Sequence, residues 1–180
     1  MTIAGLAYHV ESIFLRTKGS RNQKLFLHGH ESKHTEVETR TKFYLLTRRG
    51  NNYFAKWDSR ENLVSREYER GMRVQNHCVV MSGVSVRPVQ YVAQDGLYVI
   101  TKYLPHHRTW RTASMAPESK LKAKEAIIRW LETSGLKSYD LSVNNVMVRH
   151  ENNELDIQLI DFADASKTME DCLSDIKNWS

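Results

Sequence analysis

Two short stretches in the second half of the chain hold the residues best suited to chemistry. Tyr139-Asp140-Leu141-Ser142-Val143-Asn144-Asn145-Val146 sets an aspartate five residues before an asparagine, with apolar residues on both sides. After a polar gap, Leu159-Ile160-Asp161-Phe162 ends an apolar run with a second aspartate. Phosphoryl transfer from ATP needs such a set. One carboxylate orients the attacking hydroxyl, and an asparagine and a second aspartate hold Mg²⁺ against the phosphates. Either half alone is commonplace, because Asp-x-x-x-x-Asn arises by chance and Ile-Asp-Phe is an ordinary strand end. In this order, each beside an apolar run, they point to that chemistry together.

The elements that must position these residues follow from turn signals and periodicity. Phe43-Tyr44-Leu45-Leu46 and Tyr53-Phe54-Ala55-Lys56 flank Arg49-Gly50-Asn51-Asn52, which predicts a hairpin. A helix follows, with Asp58 or Ser59 able to cap it and Leu63, Val64, Tyr68, Met72 and Val74 as its apolar face. Val84 to Ala93 and Gly96 to Thr101 are β-rich and joined by Gln94-Asp95-Gly96, a second hairpin. Lys120 to Ser134 predicts an amphipathic helix with Leu121, Ala126, Ile127, Trp130 and Leu131 on one side and Gly135 as its stop. Val146-Met147-Val148 and Ile157 to Ile160 predict a hairpin whose ends bring Asn145 and Asp161 side by side. Asp164 to Trp179 holds one short helix with Met169, Cys172, Leu173 and Ile176 inward.

The chain thus resembles the protein-kinase superfamily over residues 25 to 165. Asp140, Asn145, Asp161 and Phe162 match its His-Arg-Asp-x₄-Asn and Asp-Phe-Gly motifs. Ser138-Tyr139 stands for His-Arg, Ser142 for the lysine two after the aspartate, and Ala163 for the glycine. Tyr53-Phe54-Ala55-Lys56 is similar to the family's Val-Ala-Ile-Lys. The resemblance makes Lys56 the ligand of the α/β-phosphates and Glu67, in Arg-Glu-Tyr-Glu, its partner, with Glu69 as the alternative. It makes Lys102-Tyr103-Leu104-Pro105 the hinge, with Thr101 as gatekeeper and the Lys102 carbonyl and Leu104 amide facing the adenine. The glycine-rich phosphate loop is reduced to Gly29, within Leu27 to Val37, where Ser32, Lys33 and Thr35 can donate to phosphate oxygens. His28, His30 and His34 lie there too, but the spacing supplies no third and fourth ligand for a metal.

The resemblance implies an α+β, compact two-lobed kinase-like fold in a single domain over 1–180. Residues 1–101 form the β-rich N-lobe with one helix, 102–106 the hinge, and 107–180 a truncated C-lobe. Only the 19 residues 162–180 follow Asp161, which leaves no room for an activation segment or a peptide-binding helical subdomain. The likeness is to the minimal, activation-loop-less kinases among secreted effectors of pathogenic bacteria. It implies an ATP- and Mg²⁺-dependent protein Ser/Thr kinase whose substrate is a host protein, of the regulatory or chaperone kind, in the host cytoplasm. A pseudokinase scaffold gripping a host partner and a small-molecule, sugar-type kinase are the alternatives.

Composition bounds these readings. At 180 residues and 41% apolar, the chain has enough core for one domain. Two cysteines far apart, Cys78 and Cys172, suggest a reducing compartment rather than a disulfide framework. No apolar run is long enough to span a bilayer, and Met1-Thr2-Ile3-Ala4 lacks a basic-then-apolar signal pattern. The net charge of +5 suits an anionic nucleotide ligand. The basic clusters at Arg48-Arg49, His106-His107-Arg108 and Lys120 to Lys124 are scattered without an aromatic ladder, which argues against a nucleic-acid partner.

Overall fold

The structure, a computed structural model, describes residues 41–48, 51–152, 154–163 and 167–179. The elements over these residues are β1 (Thr41–Arg48), β2 (Asn51–Asp58), α1 (Glu61–Val74), β3 (Val79–Met81), β4 (Val84–Pro88), β5 (Tyr91–Asp95), β6 (Tyr98–Lys102), β7 (Arg108–Thr109), α2 (Pro117–Thr133), β8 (Val146–Glu151), β9 (Glu154–Leu159) and α3 (Met169–Asn178). The architecture is α+β, with two separate sheets. The chain divides into two compact units, residues 1–68 with 90–103 and residues 69–89 with 104–180.

The first unit is built on an antiparallel sheet in the order β1-β2-β6-β5. The register of the first hairpin runs from Thr41 opposite Asp58 to Arg48 opposite Asn51. The strands of the second hairpin are β5 and β6. At its turn Gly96 adopts φ +50°, a conformation glycine enters without steric cost. Ala55, Ala93 and Ile100 form the buried centre of this sheet, with Tyr53, Trp57, Val92 and Tyr98 packed around them. At the end of β2 the Asp58 carboxylate accepts from the Arg60 backbone N–H at 2.9 Å and pairs with its guanidinium. This ties down the entry to α1.

The second unit carries a sheet in the order β3-β4-β9-β8-β7. β4 runs parallel to β9, and β8–β9 is an antiparallel hairpin. α2 packs on β3, β4 and β9 and against α3. Its inward stripe is Ala123, Ala126, Ile127, Trp130 and Leu131. Trp130 is fully buried and donates its indole N–H to the His77 carbonyl at 3.0 Å, so the ring's one polar atom is satisfied. Gly135, at φ +73°, lies just past the helix end.

Three details depart from the expected pattern. Val84 to Ala93 is two strands in different sheets. The Val89 N–H bonds the Leu159 carbonyl in the second sheet, and the Gln90 carbonyl accepts from Lys102 in the first. Pro88, which has no N–H, closes β4 at that break. Leu121 and Met72, expected on inward faces, are exposed, and Ala123 and Gly71 take the inward positions.

Candidate functional site

In the first unit two of the candidate residues form an ion pair. Lys56, in β2, sits opposite Phe43 and Val99 in the register. Its Nζ donates to Glu67 Oε2 at 2.8 Å, and the two side chains are 14% and 6% exposed. Glu67 falls on the buried stripe of α1, between Val64 and Gly71. A carboxylate in that stripe is tolerable only when paired, because desolvating an ion costs several kcal/mol. The Tyr91 hydroxyl adds a long hydrogen bond of 3.5 Å to Glu67 Oε1. Glu69, the alternative partner, is exposed.

The strand that leads out of this unit holds the expected adenine-facing residues. Thr101 is buried in β6 opposite Phe54. Lys102 ends the strand with its N–H bonded to the Gln90 carbonyl at 2.8 Å, and the Tyr103 N–H bonds the Asn52 carbonyl at 3.2 Å. Leu104 follows, half-buried, outside any strand. Gly29 and Ser32, with the remainder of the expected phosphate loop, lie outside the described residues.

In the second unit the two motifs converge. Tyr139 and Leu141 are fully buried and hold the loop from inside, while Asp140 between them stays half-exposed. Asn145 Nδ2 donates to the Asp140 carbonyl at 2.9 Å, and the Asn145 carbonyl accepts from the Ile160 N–H at 3.0 Å. That second bond sets Asn145 beside the residue before Asp161. Asp161 has φ +61°, in the left-handed region that aspartate enters more readily than most residues. Such strain persists only where the surroundings enforce it. Phe162, fully buried, stacks on Tyr139 with ring centres 4.6 Å apart, and the Tyr139 hydroxyl donates to the Ile160 carbonyl at 2.5 Å. The departure Ser138-Tyr139 thus has a structural role. Tyr139 braces the aspartate turn, and the Ser138 carbonyl receives the Arg70 guanidinium.

The donor set suits Mg²⁺. With its amide nitrogen engaged, Asn145 keeps a hard carbonyl oxygen, and Asp161 adds a carboxylate. Mg²⁺ takes one or two carboxylates and completes its shell with water and phosphate. Among the described residues no group of three or more His, Cys, Asp or Glu is arranged to hold a metal ion by protein alone.

Two features escape sequence reasoning. Lys167 brings its ammonium to 2.6 Å from Asp175 and 3.8 Å from Asp140. Asp156, on β9, gathers His107 at 3.2 Å, Arg87 at 3.4 Å and Arg149 at 3.6 Å. Burial pushes the Asp156 carboxyl up, but the His107 hydrogen bond, the Arg87 charge and Gln158 outweigh it and hold the group at about 2. These partners are dispersed in sequence and only the sheet assembles them. A groove of about 650 Å³ between β3 and α2 is lined by none of the candidate site residues.

No family model and no curated protein matches the chain. Solved structures do, over 21 chains. One is a Rio2 kinase–ADP/Mg²⁺–phosphoaspartate complex from Chaetomium thermophilum. It is 15% identical, with a TM-score of 0.63, and the match covers 99% of this chain and 60% of that one. The fold is protein-kinase-like. Another match, WaaP in complex with acyl carrier protein, is 16% identical with a TM-score of 0.40, over 72% of this chain and 59% of that one. The chain therefore spans about three-fifths of the length of either.

Proposed function

We propose that this chain is an ATP- and Mg²⁺-dependent phosphotransferase whose acceptor is a Ser or Thr hydroxyl of a protein. The observation that carries the reading is the joined loop and hairpin: Asp140, Asn145 and Asp161 held together by the Asn145–Asp140 and Ile160–Asn145 bonds, in a kinase-like fold. The buried Lys56–Glu67 pair supports it independently, since a charge is retained at a place where an apolar residue would cost less.

In this reading Lys56 meets the α/β-phosphates and Glu67 keeps its ammonium oriented. Thr101, Lys102 and Leu104 border the adenine, and Gly29 and Ser32 approach the phosphates. Asn145 and Asp161 hold Mg²⁺, which when bound neutralises charge on the phosphates. Asp140 accepts the proton of the acceptor hydroxyl as that oxygen attacks the γ-phosphorus. Ala163, in place of a glycine, stiffens the turn after the metal ligand without removing it.

The setting we propose is that of a secreted bacterial effector acting on a host protein in the host cytoplasm. It rests on the resemblance of the motifs to such kinases. Labelled ATP added to a eukaryotic lysate with the wild type or with Asp161→Ala tests both parts. The reading expects label on Ser and Thr of a few lysate proteins with the wild type alone. Label confined to small molecules would move the acceptor class to sugars or other metabolites. Label equal in both samples would leave the fold as a binding scaffold.

A further inference from the structure

Phosphoryl transfer spreads negative charge over three equatorial oxygens next to the acceptor, and a fixed cation there stabilises the transition state more than the ground state. Ser142, two residues after Asp140, brings a hydroxyl and no charge. Lys167 brings an ammonium to the same carboxylate from a different part of the chain, at 3.8 Å from Asp140 Oδ1.

Its backbone is tied in place from both sides. Ser138 and Thr168 form an antiparallel bridge, and the Tyr139 N–H donates to the Lys167 carbonyl at 3.3 Å. Thr168 then starts α3 in a capping box. Asp171 N–H donates to the Thr168 hydroxyl oxygen at 3.2 Å, and the Thr168 N–H donates to the Asp171 carboxylate at 3.0 Å. The helix is anchored by Cys172 and Ile176, both fully buried, and the Cys172 thiol donates to the Tyr139 carbonyl at 2.8 Å. The side chain is held by Asp175, two turns along the helix, at 2.6 Å. That hydrogen bond, with the nearby Asp140 charge, keeps the amine pKa above its ordinary value despite partial burial. An ammonium has three donors. One is used on Asp175, and 3.8 Å to Asp140 is too long for a hydrogen bond, so donors remain for an incoming oxygen.

We propose that Lys167 is a catalytic residue that binds an oxygen of the transferring phosphoryl group on its Asp140 side, with Asp175 as the positioning residue that aims it. The inference rests on the phosphotransferase reading. As the acceptor oxygen bonds to phosphorus, its proton passes to Asp140, and the bond to the bridging oxygen breaks with its electron pair left on ADP. Lys167 stays protonated throughout and donates to a phosphoryl oxygen.

The alternative role is structural, an ion pair that merely pins α3. Steady-state kinetics with labelled ATP, Mg²⁺ and a casein–histone acceptor mixture separates the two, run beside thermal melts. Lys167→Met is expected to lower kcat about 100-fold with KM for ATP within about twofold, and Lys167→Arg to recover most of the loss because it restores charge. Asp175→Asn is expected to lower kcat about tenfold with KM unchanged, since the ammonium remains but is less well aimed. Wild-type kcat in Lys167→Met, or an arginine variant as impaired as the methionine one, overturns the proposal and leaves the phosphotransferase reading standing. A wild type that transfers no faster than Asp161→Ala overturns both.

Discussion

Lys56 and Glu67 are opposite charges held in one largely buried ion pair, where either one alone would be costly. Lys56→Ala is therefore expected to act twice. Turnover should fall about 10²- to 10³-fold through loss of phosphate binding, and stability should fall by about 2–3 kcal/mol through the deprived Glu67 carboxylate. Urea melts beside the kinetic assay check the pair of effects. Lys56→Arg should restore stability in part and turnover hardly at all, because a planar guanidinium differs from a compact ammonium in reach and geometry. A variant with normal turnover and lowered stability would make the pair purely structural. This pair was legible beforehand because Tyr53-Phe54-Ala55-Lys56 and Arg66-Glu67-Tyr68-Glu69 resemble the kinase family's strand and helix motifs. Lys167 was not legible. Nothing in its neighbourhood marks it, and its place beside Asp140 depends on a two-residue bridge and a capped helix that no periodicity announces.

At the scale of elements, the β4–β9–β8 sheet is cross-braced by one acid among three basic side chains. The Asp156 carboxyl, ordinarily near 3.8, is held at about 2 in the folded protein. A carboxyl lowered in this way adds stability at and above its unfolded value, and that contribution disappears as the pH falls through the folded one. Asp156→Asn should cost about 1–2 kcal/mol at neutral pH, a figure reduced because Arg87 is half-exposed to solvent. The gap from wild type should narrow as pH drops from about 4 to 2 in denaturant titrations. A gap constant across that range would remove the ionised Asp156 from the account.

The turn after β9 makes a second expectation. Tyr139→Phe keeps the stack on Phe162 but loses the hydrogen bond to Ile160, and should cost about 1 kcal/mol with a measurable loss of Mg²⁺-dependent activity. Loss of activity with unchanged stability would mean that Tyr139 acts on the chemistry rather than on the turn. The hairpins and α2 were readable because their apolar spacing runs over several residues between clear turn signals. β3 and β7, with three and two residues, are too short to show a period. The split of 84–93 between two sheets is set by tertiary pairing around Pro88, which local propensity does not encode.

For the whole molecule, a kinase-like fold is compatible with catalysis and with a scaffold that only binds, so the fold does not decide the function. Among the described residues no helix is long and apolar enough to cross a membrane. The described residues on which the phosphotransferase reading depends are legible in the order Lys56, Glu67, Asp140, Asn145, Asp161, whereas the residues expected to approach the phosphates, Gly29 and Ser32, rest on the sequence alone. Side-by-side measurement of Mg²⁺·ATP affinity and γ-phosphoryl transfer, for the wild type, Asp140→Asn and Asp161→Ala, is the most direct test of the central claim. Wild type should transfer label only with Mg²⁺. Asp140→Asn should bind ATP within about threefold of wild type yet transfer at least about 10³-fold more slowly, since its carboxylate serves the acceptor and not the nucleotide. Asp161→Ala should keep its fold and lose transfer by a similar factor. Transfer by wild type no faster than by either variant, with or without Mg²⁺, would contradict the account.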